Sequence, residues 1–304
     1  MRWYETFDKL MSDYLPDVTV LAEEPLARHC SFRIGGPARR MAFPVNAEQT
    51  VLLESFGRRC GAEPLILGNG TNVLFPDEGL DRLVICTRDL GQLTATDETH
   101  IRAGAGVTLA RLAIFAQQHS LTGLEFAHGI PGSVGGAVCM NAGAYGGEIR
   151  DVIVGASILF PEEGVRYLGR DELHLSYRRS VLTEHPDAVA LYADFALREG
   201  DGEAIRSRME ELMARRKASQ PLELPSAGST FKRPEGHFAG ALIEQSGLKG
   251  CSVGGAQVSP KHAGFVVNTG EATCADVLAL IEHVQQTVQQ RFQVWLEPEV
   301  RIIK

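Results

Sequence analysis

Four stretches of the chain place apolar residues at helical spacing. Asn46-Ala47-Glu48-Gln49 supplies a capping residue with Gln three positions on, Leu52, Leu53 and Phe56 form an apolar face, and Gly61 is a stop signal. A second helix is predicted from Leu109 to His119, burying Leu112, Ala113 and Ala116, with Gly123 beyond it. A third opens at Asp201 and carries Ile205, Met209, Leu212 and Met213. The last starts near Thr273, where Asp276 completes a capping box, and aligns Val277, Ile281, Val284, Val288 and Phe292. Between them, short apolar runs read as strands: Pro64–Leu67, His100–Ala103, Val152–Val154, Ser157–Phe160, Ala188–Leu197, Val294–Leu296 and Val300–Ile303. Helices and strands mix along the chain without a repeat, which makes the class α+β. Pro221 and Pro225 lead into Ala227-Gly228-Ser229, a predicted loop at a domain boundary.

The chain has 304 residues, 44% of them hydrophobic, enough apolar mass for a folded core. Its formal charge of −8 argues against a nucleic-acid partner, which would need a basic footprint on phosphates. No apolar run approaches the ~18–20 residues of a membrane span. The N-terminus, MRWYETFDKLMSDYLPD, is acidic and amphipathic, unlike a signal peptide, so a cytoplasmic location is expected. Six scattered cysteines lack any C-x-x-C pair, and the dispersed histidines include no H-E-x-x-H; reduced thiols and no metal site are expected.

Glycine changes the picture. Leu67-Gly68-Asn69-Gly70-Thr71-Asn72-Val73 is a strand followed by a turn that could aim backbone N–H groups at a phosphate. Val73 stands where a Rossmann fingerprint needs its third glycine, and no Lys-Ser/Thr follows as in a Walker loop. Taken alone, the turn is better read as an ordinary loop. The stretch from Gly123 to Gly147 is different: it is both glycine-rich and apolar, too hydrophobic for a flexible linker. Close backbone packing against a flat ligand, such as a dinucleotide bearing an aromatic ring, explains it better.

Six blocks in one order carry a family resemblance: His29–Pro37 (HCSFRIGGP), the Gly68 turn, Gly123–Gly147, Ser176-Tyr177-Arg178-Arg179-Ser180, Ser226–Lys232 (SAGSTFK) and Glu297-Pro298-Glu299-Val300. Together they resemble the UDP-N-acetylenolpyruvoylglucosamine reductase (MurB) family over nearly the whole chain. The resemblance implies a two-part FAD-binding domain of the vanillyl-alcohol-oxidase (PCMH) type plus a C-terminal α+β substrate domain. The implied divisions are 1–32, an N-terminal segment packing on the flavin domain; 33–198, the flavin domain; and 199–304, the substrate domain, with a terminal strand returning to the active site. FAD is expected to bind noncovalently through Gly68, Asn69, Gly70, Thr71, Asn72 and Val73. The glycine-rich stretch is expected to add Ile130, Pro131, Gly132, Ser133, Gly135, Gly136, Ala137, Asn141, Gly143 and Ala144. Asn69 and Thr71 replace the Gly and Ser common in the family's turn, and Cys30 replaces a common Thr. The chain resembles the shorter subtype, which lacks an extra tyrosine-bearing loop.

The implied activity is NADPH-dependent reduction of an enolpyruvyl UDP-sugar in peptidoglycan precursor synthesis, hence cell-wall biogenesis, cell shape and division. The reaction builds an enolate beside a carboxylate, so the site needs a cationic clamp, a carboxyl group and a proton donor. By resemblance these are Arg178, Glu299 and Ser229. Guanidinium can hold a carboxylate at two points, which lysine cannot copy. A serine hydroxyl donates only to a strongly basic acceptor, which the enolate is. A charged Glu299 would repel that anion, so it is expected to act protonated or paired with a cation. Tyr177, Lys217 and Lys232 are expected to bind substrate. From Arg206 to Arg233 seven basic residues face three acidic ones, a balance of +4 in an acidic protein. Two other classes fit parts of the pattern: a flavin oxidase tethering its cofactor through His128 or Cys139, and an electron-transfer subunit without a substrate site.

Overall fold

The computed structural model describes residues 2–304, which divide into two compact units. The first comprises the chain up to residue 23, with 39–69 and 81–215; the second comprises 24–38, 70–80 and 216–304. The chain crosses between them repeatedly, so these compact units do not divide at 32/33 and 198/199. Residues 24–38 and 70–80, inside or beside the expected flavin domain, belong to the same unit as the C-terminal part.

Among the described residues the first unit is built mainly on two larger sheets. One orders strands Thr19–Pro25, Pro37–Phe43, Leu80–Cys86 and Leu65–Leu67, the last two parallel, with Leu65 opposite Val84. The other is antiparallel and orders Gly164–Gly169, Ile153–Phe160, Val189–Ala196, His100–Gly104 and Leu93–Ala95. Helix Ala47–Arg59 starts as its sequence predicts: Asn46 Oδ1 accepts the Gln49 N–H at 2.9 Å. Helix Leu109–Gln118 buries Leu112, Ala113 and Ala116, and helix Gly202–Ser219 buries Ile205, Met209 and Leu212. The N-terminal helix Trp3–Tyr14 turns Phe7 and Met11 into a core with Leu53, Phe56, Leu83 and Ile85.

The glycine-rich stretch from Gly123 to Gly147 contains a short helix, Val134–Met140. Gly135 is what admits it. A Cβ at Gly135 would lie 3.0 Å from the Ala105 Cβ, and the Gly135 N–H donates to the Ala105 carbonyl at 2.9 Å. A larger residue would push the helix off that backbone.

The second unit holds an antiparallel sheet ordering Ser226–Ser229, Phe265–Asn268, Ala256–Val258 and Ser252–Val253. Ser226–Ser229 is therefore a strand and not the boundary loop expected from its prolines. Its partner is Phe265–Asn268, some forty residues on, and local sequence carries no trace of such a pairing. Helix Cys274–Phe292 has the predicted capping box, Thr273 accepting from the Asp276 N–H at 3.1 Å, and buries Val277, Ile281, Val284 and Val288. Arg301–Ile302 forms the closing strand, parallel to Val73–Leu74. Val294–Leu296 is no strand: the Leu296 carbonyl accepts from the Gln285 side chain at 2.8 Å instead of a ladder partner.

Candidate active site

In the second unit, three blocks distant in sequence share one place. The Glu299 N–H donates to the Thr230 carbonyl at 2.8 Å, the Lys232 N–H donates to the Glu297 carbonyl at 2.9 Å, and Phe231 bridges Pro298 between them. This antiparallel ladder puts Glu299 opposite Thr230, one residue from Ser229. The Asn72 side chain donates to the Glu299 carbonyl at 3.1 Å, and the Asn72 carbonyl accepts from Arg301 at 3.0 Å. Thus the distal half of the predicted phosphate turn adjoins Glu299. Ser31, from the HCSFRIGGP block, donates its hydroxyl to the Ser226 carbonyl at 2.6 Å and anchors the same strand.

Ser229 ends that strand exposed, after a register shift between Ser226 and Ser229. Gly228 takes φ +77, and an added Cβ there would meet nothing within 4 Å; the requirement is one of backbone conformation. The bulge interrupts the pleat just before Ser229. Gly70 is constrained differently: at φ +61, a Cβ would also run into the His29 carbonyl oxygen. Thr71 and Val73 follow in the turn, half-buried.

Arg178 belongs to the first unit. Ser176 and Arg179 exchange two backbone hydrogen bonds, each 3.1 Å, closing a tight turn with Tyr177 and Arg178 at its tip. Arg178 has φ +57, a left-handed conformation that costs a non-glycine residue ~1–2 kcal/mol. Its guanidinium carbon lies 5.0 Å from the centre of the Tyr177 ring, which is itself 49% exposed. Ser180 is buried just behind the turn, donating its hydroxyl to the Cys139 carbonyl at 2.8 Å and capping the Leu182 N–H at 3.1 Å.

The same unit carries the other glycine elements. Ser133 stands at the N-cap of helix Val134–Met140, where a serine hydroxyl ordinarily accepts from the first turn. Here the Val134 and Gly135 N–H groups bond to the Val107 and Ala105 carbonyls, at 2.8 and 2.9 Å, and the Ser133 hydroxyl makes no cap bond. That oxygen is buried without a protein partner, and a Cβ at Gly68 would lie 2.7 Å from it. An unmet buried hydroxyl costs ~1–3 kcal/mol. A bare glycine faces it, and a ligand group is the kind of partner such an oxygen would take. Gly68 and Ser133 therefore fit one end of a phosphate-bearing dinucleotide. His128 adds a second buried polar atom without a partner, Nδ1, and burial pushes its imidazole pKa down, toward the neutral form.

Three expectations need qualification. Asn141 is fully buried, and its side chain is engaged by protein: Nδ2 donates to Glu148 at 3.0 Å and to the Ser176 carbonyl at 3.2 Å, while Oδ1 accepts from the Arg150 N–H at 3.0 Å. Only its backbone remains for a cofactor. Gly143 pairs with Glu148 and Ala144 with Gly147 in a two-stranded ribbon. The basic run around Arg206–Lys217 is largely compensated on its own helix, where Glu211 pairs with Arg208 and Arg215. Lys232 pairs with Glu297 at 3.2 Å, and the Lys217 carbonyl accepts from Lys261 at 2.8 Å. A cavity of about 520 Å³ in the first unit is lined by Arg150, Asp151, Arg170, Asp171, His174 and Leu175, none of them a predicted site residue. Sequence reasoning missed Ser31 and the bridging role of Asn141. Only the position of Asn141 beside the glycine run could have drawn notice to it.

Residues 38–168 match the FAD binding domain family, and residues 220–303 match the UDP-N-acetylenolpyruvoylglucosamine reductase C-terminal domain. The UDP-N-acetylenolpyruvoylglucosamine reductase of Agathobacter rectalis is 50% identical, across 98% of this chain and 98% of its own. The chain belongs to the UDP-N-acetylenolpyruvoylglucosamine reductase family. That of Levilactobacillus brevis is 48% identical across 95% and 94% of the two chains. The crystal structure of the family's Thermus caldophilus member, 34% identical, superposes with a TM-score of 0.78 over 94% of this chain and 99% of that one. An alkyldihydroxyacetonephosphate synthase, 15% identical with a TM-score of 0.50, covers 66% of this chain and 44% of its own and shares the fold alone. The fold is accordingly the expected one, a PCMH-type FAD-binding domain with a C-terminal α+β domain. No helix among the described residues is long and apolar enough to cross a membrane.

Proposed function

We propose that this chain is a noncovalent FAD enzyme that uses NADPH to reduce the enolpyruvyl double bond of UDP-N-acetylenolpyruvoylglucosamine, forming UDP-N-acetylmuramate for peptidoglycan synthesis in the cytoplasm. The observation that carries this reading is the ladder that sets Glu299 opposite Thr230 and beside Ser229, in a chain half identical to a reductase of that name. Gly68, Asn69, Ser133 and their glycine neighbours would hold the flavin, together with the turn Gly70–Val73. When bound, FAD supplies the two-electron relay that carries hydride from NADPH to the terminal carbon of the enol ether.

The protein's own groups handle the charge and the proton. Arg178, projecting from a strained turn, holds the substrate carboxylate and meets the negative charge that reduction develops beside it. Ser229 Oγ gives its proton to the carbon bearing that charge, and the resulting alkoxide recovers a proton from solvent. Glu299, as a neutral acid or paired with a cation, lowers the cost of that charge. Tyr177, Lys217 and Lys232 contribute to holding the UDP-sugar.

The test is NADPH consumption by the isolated chain with and without the enolpyruvyl UDP-sugar. Consumption that requires the sugar supports the reading; consumption that follows added dyes and ignores the sugar contradicts it. Acid precipitation should release all yellow colour into solution. Colour held in the pellet would favour a tethered-flavin oxidase.

A further inference from the structure

We infer that Asn141 is a positioning residue for Arg178, an inference that rests on the clamp role proposed for that arginine. Arg178 occupies a backbone conformation that an arginine does not choose unaided, with φ +57. Such a conformation persists only where the surroundings over-determine it. The turn's own two hydrogen bonds close it, and the end of helix Val134–Met140 adds a further tie. Asn141 caps that helix in the left-handed region, φ 41, and is completely buried. Its Nδ2 reaches the Ser176 carbonyl at 3.2 Å, the same oxygen that accepts the Arg179 N–H across the turn. One asparagine thus orients the carbonyl from which the Arg178 turn is hung.

The amide orientation is dictated by its partners. A carboxylate and a carbonyl both face Nδ2, which must be the donor, and an N–H faces Oδ1, which must accept. Asparagine alone among residues of this size meets all three. Aspartate keeps the acceptor toward Arg150 but turns an oxygen toward the Glu148 carboxylate and the Ser176 carbonyl. The turn would then be repelled from the helix end rather than tied to it.

The experiment is a cycle of four proteins: wild type, Asn141→Asp, Arg178→Ala and the double variant. Turnover with the enolpyruvyl UDP-sugar, the flavin spectrum, and the rate of flavin reduction by NADPH alone are measured for each. Displacing a positioned group by an ångström lowers turnover on the order of 100-fold. The expected result is a loss of that size for Asn141→Asp, with unchanged flavin spectrum and reduction rate, and no further loss when it is added to Arg178→Ala. Equal losses in both backgrounds would show that Asn141 acts independently of Arg178 and overturn the inference, as would wild-type turnover in Asn141→Asp. Arg178→Ala with wild-type turnover would remove the clamp itself, and that failure shows in its single variant alone. Where Asn141→Asp does not fold, Asn141→Gly accepts the same φ without the amide and replaces it in the cycle.

Discussion

Glu299 is tied by its backbone N–H to the carbonyl of Thr230, at 2.8 Å, which sets it one residue from Ser229 across a short antiparallel ladder. The two residues lie seventy positions apart in sequence, yet neither can shift along its strand without breaking the bonds on both sides of the Phe231–Pro298 bridge. A hydroxyl and a carboxyl group held on one ladder are what the proposed reaction, in which charge and proton arrive at adjacent atoms, would use.

Ser229→Ala is the direct consequence. Removing a positioned proton donor lowers the chemical step by about 10²- to 10⁴-fold. Flavin reduction by NADPH, which needs no proton at the substrate, should stay at the wild-type rate. Rapid mixing separates the two half-reactions. Equal slowing of both would assign Ser229 to the fold or to cofactor binding instead.

Gly68 is a test of the cofactor cradle. A methyl there would sit 2.7 Å from the Ser133 hydroxyl, an overpacking that typically costs ~1–3 kcal/mol. Gly68→Ala should lower the thermal midpoint and weaken flavin binding. Adding Ser133→Ala removes the obstructing oxygen, so the double variant should regain the midpoint while still binding flavin less tightly than wild type. Flavin fluorescence titration and thermal melts read the two effects separately.

The turn at Arg178 sets function against stability. Arg178→Gly relieves ~1–2 kcal/mol of left-handed strain, offset by ~0.5–1 kcal/mol of added chain entropy. Stability should therefore change little, while turnover falls about 100-fold or more as a charge-stabilising group is lost. A large drop in thermal midpoint would mean that the arginine is held for structure.

Asp276 gives a pH dependence. Hydrogen bonds from the Thr273 and Gly255 N–H groups lower its pKa from its ordinary value of 3.8. A carboxylate with a lowered folded pKa stabilises fully above its unfolded value and loses that contribution as pH falls through the folded one. Wild type should be more stable than Asp276→Asn at pH 7, with the gap closing below about pH 4. Denaturant melts across that range check it; a gap independent of pH would remove the charge from the explanation.

Local signals carried the helices. Asn46 with Gln49 and Thr273 with Asp276 are caps visible in sequence, and each begins a helix where it stands. The misses share a cause. Val134–Met140 has two glycines in seven residues, which suggests a loop unless one knows that Ala105 presses against Gly135. Ser226–Ser229 is a strand only because Phe265–Asn268 is beside it. The candidate chemical residues, Arg178, Ser229 and Glu299, came from the family blocks and not from local patterning. The role of Asn141 was not, since a buried asparagine's partners are set by the fold and not by its neighbours in sequence.

The most direct measurement is anaerobic. Enzyme whose flavin has been fully reduced by NADPH is mixed with the enolpyruvyl UDP-sugar, without oxygen, and the oxidised flavin band is followed. The band should return in one turnover with one equivalent of UDP-N-acetylmuramate formed. A flavin that stays reduced in the presence of the sugar and reoxidises only when air is admitted would contradict the proposed reductase.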